Sequence, residues 1–405
     1  MSISFYGEKK SQIMMLGGRR AGKSSLLASV VHNITTLGRG DLFTIVGAEA
    51  ITEDGEKDVS LTQKRRELQG FITNQNLKKN KEACVLVNMS RSLHRTTYKI
   101  TTRINGRSDA VFEFLDVPGE DMEEQVQQIH NLHYDALIQK AEDTDVVIVA
   151  IDTPFLMEAA DPINEVYNRV PEIGKITGAM NPKDEKDNRL IILCPVKCEK
   201  WIHEGRIDEV TERTRIVYRD VINAHVQNKL FQIWIMPIAT AGGLEHFRLM
   251  DGYRFRRIKK SCLGIRNRDT ELGSINEITG QIYAGNGEIL NRDQVEIDDS
   301  SPDQSLYHDF FNIPLSWYKC TGKYEPALCE QPAYHIIRFL ARKAKENATW
   351  HERFWNVFSG HLDNYLKMVD KMEKERLIKT EGDGFLQVKD LVVIQHNEQH
   401  NKEQL

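Results

Sequence analysis

The stretch Gly17-Gly18-Arg19-Arg20-Ala21-Gly22-Lys23-Ser24, followed by Ser25, has the residue types and spacing to cradle a chain of phosphates. Its glycines let the backbone wrap closely around an anion, and successive N–H groups form a concave nest for it. Lys23 can bridge the terminal phosphates, and the Ser24 hydroxyl is a hard oxygen donor suited to Mg²⁺. About 90 residues further on, the apolar run Val111–Leu115 ends in Asp116-Val117-Pro118-Gly119. A carboxylate at Asp116 can hold the same Mg²⁺ through water. Gly119 can place a backbone N–H on the last phosphate.

Those groups need elements to hold them. An apolar strand, Gln12–Leu16, leads into the loop, and a helix over Lys23–Ile34 leads out, adding the positive end of its dipole. Thr97–Ile104 and Ala110–Leu115 flank Asn105-Gly106 and predict a hairpin. Glu124–Asp143 carries Val126, Ile129, His133 and Leu137 at helical spacing, which also sets His130 and His133 on one helix face. Val146–Ile151 and Leu190–Val196 are continuous apolar runs, as expected of strands buried on both faces. Ile163–Gly174 and Ile207–Gln227 predict helices, and Phe231–Ala239 a last strand. Strands alternating with helices imply an α/β fold, a mainly parallel sheet in three layers.

The Asp116 motif, placed after a strand and downstream of a phosphate loop, resembles that of the P-loop GTPases of the translation-factor-related class. Val117 departs from the second acid that many P-loop ATPases carry after the Asp. The resemblance covers about residues 12–250, and implies a P-loop GTPase-like domain over 1–250. It implies GTP/GDP and Mg²⁺ as ligands, with Ser24 and Asp116 on the metal. The family reads guanine with [NT]-K-x-D after a later strand; here that position is Val196-Lys197-Cys198-Glu199. Lys197 matches the lysine whose stem packs on the base. Glu199 takes the aspartate's place as acceptor, and Val196 replaces a supporting polar residue. Asn181-Pro182-Lys183-Asp184 is closer by letters but precedes its strand, at the wrong end of the sheet. Thr240-Ala241-Gly242 resembles the loop whose backbone N–H meets the guanine carbonyl. The segment 38–95 is an insertion before the Asp116 strand and must contain the first switch; Thr73, Thr96 and Thr97 are the threonines that resemblance would consider for Mg²⁺. Glu120 stands where related proteins carry a water-orienting glutamine, so Lys23 and Glu120 are the catalytic candidates. The alternative for Glu120 is a solvated acid at a helix start. Arg19 and Arg20 either turn outward or supply charge to the phosphates. Taken with Ser25, these motifs also look like those of bacterial double-GTPase-like families, which occur in multi-component, often defence-related, systems.

Composition sets the frame. The chain has 405 residues and a net charge of -5 from 54 basic and 59 acidic side chains, so it is no general polyanion binder. Hydrophobic residues make up 40%, enough for a sizeable core. No apolar run approaches the ~20 residues of a membrane-spanning helix. Met1–Lys10 lacks a leader-type apolar stretch, so a cytoplasmic protein with reduced cysteines is expected. After residue 250 the character changes. A basic stretch (Arg254, Arg256, Arg257, Lys259, Lys260, Arg266, Arg268) and an acidic one (Asp293–Asp303) mark a loop-rich module over 251–330. The basic stretch reads as a solvated or partner-binding face rather than a nucleic-acid site, since few aromatics interleave it. Residues 331–405 read as a helical region with a polar tail. Pro332 opens a helix, Trp350, Phe354 and Phe358 continue an apolar stripe to Gly360, and Leu362, Tyr365, Leu366, Val369 and Met372 make another face.

The expectation is a GTP-binding, GTP-hydrolysing switch regulating a multi-protein bacterial system. Its protein partners would meet the switch segments and the residues after 250. Two rivals stand beside it: a non-hydrolysing, nucleotide-bound subunit of a larger complex, and an ATP-using enzyme. Self-association is compatible with each.

Overall fold

All four residues of β1 (Ile13–Leu16) are buried, Ile13 and Met15 against one face of a sheet, Met14 and Leu16 against the other. That pattern is required of a strand covered on both faces. The computed structural model describes residues 13–36, 43–53, 55–58, 60–74, 77, 84–87, 95–104, 108–126, 129–257, 271–275, 281–297, 314–347 and 361–392. Along the chain come β2 (Phe43–Thr52), the two-residue β3 (Val85–Leu86), β4 (Thr96–Ile104), β5 (Ser108–Asp116), the short β6 (Gln125–Val126) and β7 (Ile129–His130), β8 (Val146–Asp152), β9 (Arg189–Val196) and β10 (Phe231–Ile235). Then follow β11 (Gly242–Met250), β12 (Tyr253–Arg257), β13 (Glu271–Ile275), β14 (Ile282–Ala284), β15 (Ile289–Leu290), β16 (Val295–Ile297), β17 (Leu315–Tyr324) and β18 (Leu386–Val388).

The main sheet has the order β18-β10-β9-β8-β1-β5-β4-β2. β10, β9, β8, β1 and β5 run parallel. Antiparallel strands extend both edges: β4 and β2 on one side, β18 on the other. One face is covered by α1 (Lys23–Thr36) and the helices Glu330–Asn347 and His361–Lys374. The other is covered by Leu132–Glu142, Val170–Gly178, Ile207–Val217 and Arg219–His225. The result is a mixed α/β fold with a mainly parallel central sheet.

Two smaller sheets lie beside it. One has the order β11-β17-β3, the other β15-β14-β13-β12-β16. The insertion before β4 supplies β2, β3 and α2 (Leu61–Ile72). Ser60 caps α2 by accepting the Gln63 N–H. Ile72 at its end packs with Val85, Leu244 and Tyr318, which ties α2 to the β11-β17-β3 sheet.

The expected hairpin is present as β4 and β5, paired from Thr96↔Asp116 to Ile104↔Ser108. The expected helix Glu124–Asp143 is not. β6 and β7 form a two-strand ribbon first, and the helix begins only at Leu132, where the Asn131 side chain accepts the His133 N–H. His130 and His133 therefore share no helix face. Helix Ile163–Gly174 is two helices, Asp161–Asn168 and Val170–Gly178, broken at Arg169, whose φ is 55°. Helix Ile207–Gln227 is broken at Tyr218. Strand Phe231–Ala239 ends at Ile235, though Ala239 pairs with Ala327. Among the expected features, Gln12, Asn105-Gly106, the basic stretch apart from the backbone of Arg254, Arg256 and Arg257, the acidic residues 298–303, Trp350, Phe354, Phe358, Gly360 and the polar tail lie outside what the structure describes.

Candidate functional site

Four of the motifs lie beyond the carboxyl ends of parallel strands, where ligands sit in sheets of this kind. The loop 17–22 joins β1 to α1. Asp116 is the last residue of β5 and lies opposite Met15 of β1. Lys197 follows β9, and Thr240 follows β10 by a few residues. Between them is a cavity of about 350 Å³, at the lower end of the range for small-molecule sites.

The phosphate end of that cavity is lined by Arg19, Arg20, Gly22, Lys23, Ser24 and Ser25 of the loop, and by Asp116, Gly119 and Glu120. Gly17, Gly18 and Ala21 are buried behind it. Gly18 admits no side chain, since a Cβ there would stand 1.9 Å from the Tyr167 carbonyl oxygen. Gly119 admits none either: its Cβ would stand 2.5 Å from the Arg19 nitrogen. The two motifs are thus in backbone contact across a chain separation of about 100 residues. Lys23 donates to the carbonyls of Gly17 (2.8 Å) and Gly18 (3.3 Å). Burial lowers its pKa, opposed by the charges of Asp116 and Glu120. Ser24 Oγ donates to Asp116 Oδ2 at 2.8 Å, while Asp116 Oδ1 is buried without a hydrogen-bond partner among the described residues. Burial raises the Asp116 pKa; Lys23, the Ser24 hydrogen bond and Lys64 pull it back down.

A hydroxyl and a carboxylate facing each other, with one buried carboxylate oxygen to spare, form a hard-oxygen donor set that fits Mg²⁺. Among the described residues no group of three or more His, Cys, Asp or Glu could hold a metal, so an ion here would take its other ligands from phosphate and water. Arg19 Nε and Glu120 Oε1 form an ion pair at 3.1 Å, so two residues singled out separately meet each other. Glu120 sits in a single 3₁₀ turn, Gly119–Met122.

The other end, around Lys197 and Glu199, is built differently. Lys197 has φ 63°, as does Arg20, and its Nζ donates to the Arg20 carbonyl (2.8 Å) and to Asp152 Oδ2 (2.5 Å). It fastens the phosphate loop to the ends of β8 and β9. Such left-handed non-glycine residues persist only where surrounding bonds hold them. Glu199 is 2% exposed, and its Oε1 accepts the N–H groups of Ala241 (2.7 Å) and Gly242 (3.2 Å). Its Oε2 is buried without a hydrogen-bond partner among the described residues. Burial raises its pKa, against the pull of those two N–H groups and of Lys197. Two N–H groups of the Thr240-Ala241-Gly242 loop, which the resemblance set against the guanine carbonyl, are thus donated to Glu199. The Thr240 carbonyl accepts from Ser29 Oγ at 2.6 Å, turning that loop toward α1.

Of the threonines considered, none lines the cavity. Thr73 ends α2 and donates to the Gln69 carbonyl. Thr96 donates to Asp58. Thr97 pairs in register with Leu115. Lys183 of the rejected motif pairs with Asp143 at 2.5 Å, away from the cavity. Sequence reasoning missed Asp152, Lys64, Leu68, Val87, Leu244 and Tyr318; the last five line the cavity. Only Lys64 left a signal. It interrupts the apolar stripe Leu61, Leu68, Ile72 of α2, at a position a solvated lysine would not occupy.

No family model matches the chain, and no curated protein matches it. Among solved structures, the GTPase-like domain of S. cerevisiae Ski7 bound to GTP is similar at a TM-score of 0.26 and 10% identity, over 78% of this chain and 71% of that one. Among the described residues no helix is long and apolar enough to cross a membrane.

Proposed function

We propose that the chain is a guanine-nucleotide-binding protein that holds GTP with Mg²⁺ and hydrolyses it slowly, in the manner of the translation-factor-related GTPases its motifs resemble. The observation that carries this reading is the Ser24–Asp116 hydrogen bond beside Lys23, in a cavity whose far end offers the buried Glu199 acceptor. Lys23 would turn from the loop carbonyls to the terminal phosphates. Ser24 and Asp116 would hold Mg²⁺, which supplies charge neutralisation on the phosphates. Gly119 would bring its N–H to the last phosphate from its position against Arg19. Glu199 Oε2 would accept from the N–H edge of guanine, an edge adenine lacks.

Protein partners would meet the inserted segment 38–95 and the residues after 250; Lys64, Leu68 and Val87 of the first and Tyr318 of the second line the cavity and can answer to what it holds. A regulatory part in a multi-protein bacterial system, as in the double-GTPase-like families, is the wider form of this proposal. The binding-only alternative rests on one observation. Glu120, the acid in the place of a water-orienting glutamine, is held by Arg19 and cannot donate a hydrogen bond to a transferring phosphate.

Titration with fluorescent GTP and GDP, with Mg²⁺ and with EDTA, and with ATP as competitor, tests binding. Single-turnover phosphate release across protein concentration tests hydrolysis. Expected are guanine preference, tighter triphosphate binding with Mg²⁺, and turnover that rises with self-association or a partner. Equal affinity for ATP would move the assignment to an ATP-using protein; no turnover under any condition would leave the binding module.

A further inference from the structure

We infer that Lys64, carried over the cavity by α2, contacts the terminal phosphate of the bound nucleotide, so that the inserted segment supplies a second cation beside Lys23 and distinguishes a triphosphate from a diphosphate. This rests on the phosphate site proposed above but not on the identity of the base.

Lys64 is 2% exposed, an unusual state for a lysine, and it lines the cavity together with Lys23, Ser24 and Asp116. It shares that lining with Asp116 closely enough for each charge to act on the other. Burial lowers its pKa, against the charges of Glu67, Asp116 and Asp58, which favour the protonated form. Asp58 in turn accepts from Thr96, the residue opposite Asp116 in the β4–β5 register. The helix that carries Lys64 is not a loose loop. Ser60 caps it, Leu61 packs in the main core and Ile72 in the cluster with Leu244 and Tyr318. A cation on a packed helix is held to a defined geometry.

Charge balance gives it a task. A buried ammonium is costly unless paired. If Asp116 turned its charge to Mg²⁺, Lys64 would lose part of its compensation, and a γ-phosphate would restore it. A nucleoside triphosphate carries more negative charge than Mg²⁺ and Lys23 together offset. Thr73, Thr96 and Thr97 do not line the cavity, whereas Lys64 does.

The test uses the full chain with Lys64→Met, which keeps the buried stem, and Lys64→Arg, which keeps the charge. Affinities for a non-hydrolysable triphosphate and for the diphosphate are measured with both guanine and adenine nucleotides. For Lys64→Met the triphosphate-to-diphosphate affinity ratio should fall by about 30-fold or more, with diphosphate affinity held within about threefold, and Lys64→Arg should recover most of the ratio. A thermal transition like that of the wild type confirms that the variants fold. An unchanged ratio in Lys64→Met overturns the proposal. A changed ratio without guanine preference overturns only the base assignment, and a wild-type chain that binds no nucleotide overturns both.

Discussion

At the Gly17–Ser24 end of the cavity the polar groups meet by bonds that a ligand can replace. Ser24 reaches Asp116, Lys23 reaches its own loop carbonyls, and Asp116 keeps a buried oxygen in reserve. At the base end the groups are committed to one another. Glu199 spends one oxygen on two backbone N–H groups, and Lys197 spends its ammonium on Arg20 and Asp152. The first arrangement stores charge for an incoming anion. The second stores shape, leaving a single acceptor to read with. Affinity should therefore reside at the phosphate end and selectivity at the base end.

The sharpest way to break that contrast is Lys23→Ala. Removing the loop's buried cation should weaken GTP and GDP alike by about 100-fold or more, without unfolding the chain. Titration with fluorescent nucleotide reads it, and equal affinity would mean the loop is not the phosphate site. Glu199→Ala should do less and do it selectively. GTP affinity should drop by about tenfold or more while ATP affinity moves little, since the lost acceptor faces only donors. A parallel loss for both nucleotides would make Glu199 a scaffold alone.

A smaller effect separates those two roles further. The Glu199 pKa is raised by burial, so folding favours its protonated form. Its stabilisation relative to the unfolded chain is complete below the ordinary value of 4.5 and is lost as pH rises through the raised value. Glu199→Gln abolishes this titration. Urea midpoints of wild type and variant should diverge in the variant's favour as pH rises from 4.5 to neutrality, and parallel curves would contradict the shift. The smallest effect is expected of Arg19→Ala. Its pair with Glu120 is partly exposed, so folding stability should change by no more than about 1 kcal/mol. A change in turnover at unchanged stability would show that releasing Glu120 matters to chemistry.

How much of this was legible in the sequence depended on distance along the chain. The phosphate loop was legible because eight contiguous residues carry their own geometry. Asp116 was legible because the end of an apolar strand marks it. Lys197 and Glu199 could be named by position, yet the bond from Glu199 to Ala241 could not, since it spans 42 residues and depends on how β9 and β10 pair. Lys64 belongs to a helix whose apolar stripe was readable, but which cavity that stripe borders is a matter of packing. The helix break at Tyr218 went unseen because no glycine or proline marks it and side-chain periodicity runs on through a one-residue kink; the break at Arg169 did carry a mark, Pro171 in the first turn of the helix that follows.

The strand β18 bears on how the molecule is made. It pairs with β10 in antiparallel register, Ile233 opposite Val388 and Ile235 opposite Leu386, and closes the edge of the sheet beside β10. On a ribosome β10 is finished about 150 residues before β18, an interval of roughly 10–30 seconds at ordinary rates of synthesis. For that time the nascent chain carries a bare apolar strand edge, the kind that recruits neighbouring chains. A ribosome-stalled chain ending between β10 and β18 should bind chaperone, and one extended past β18 should release it.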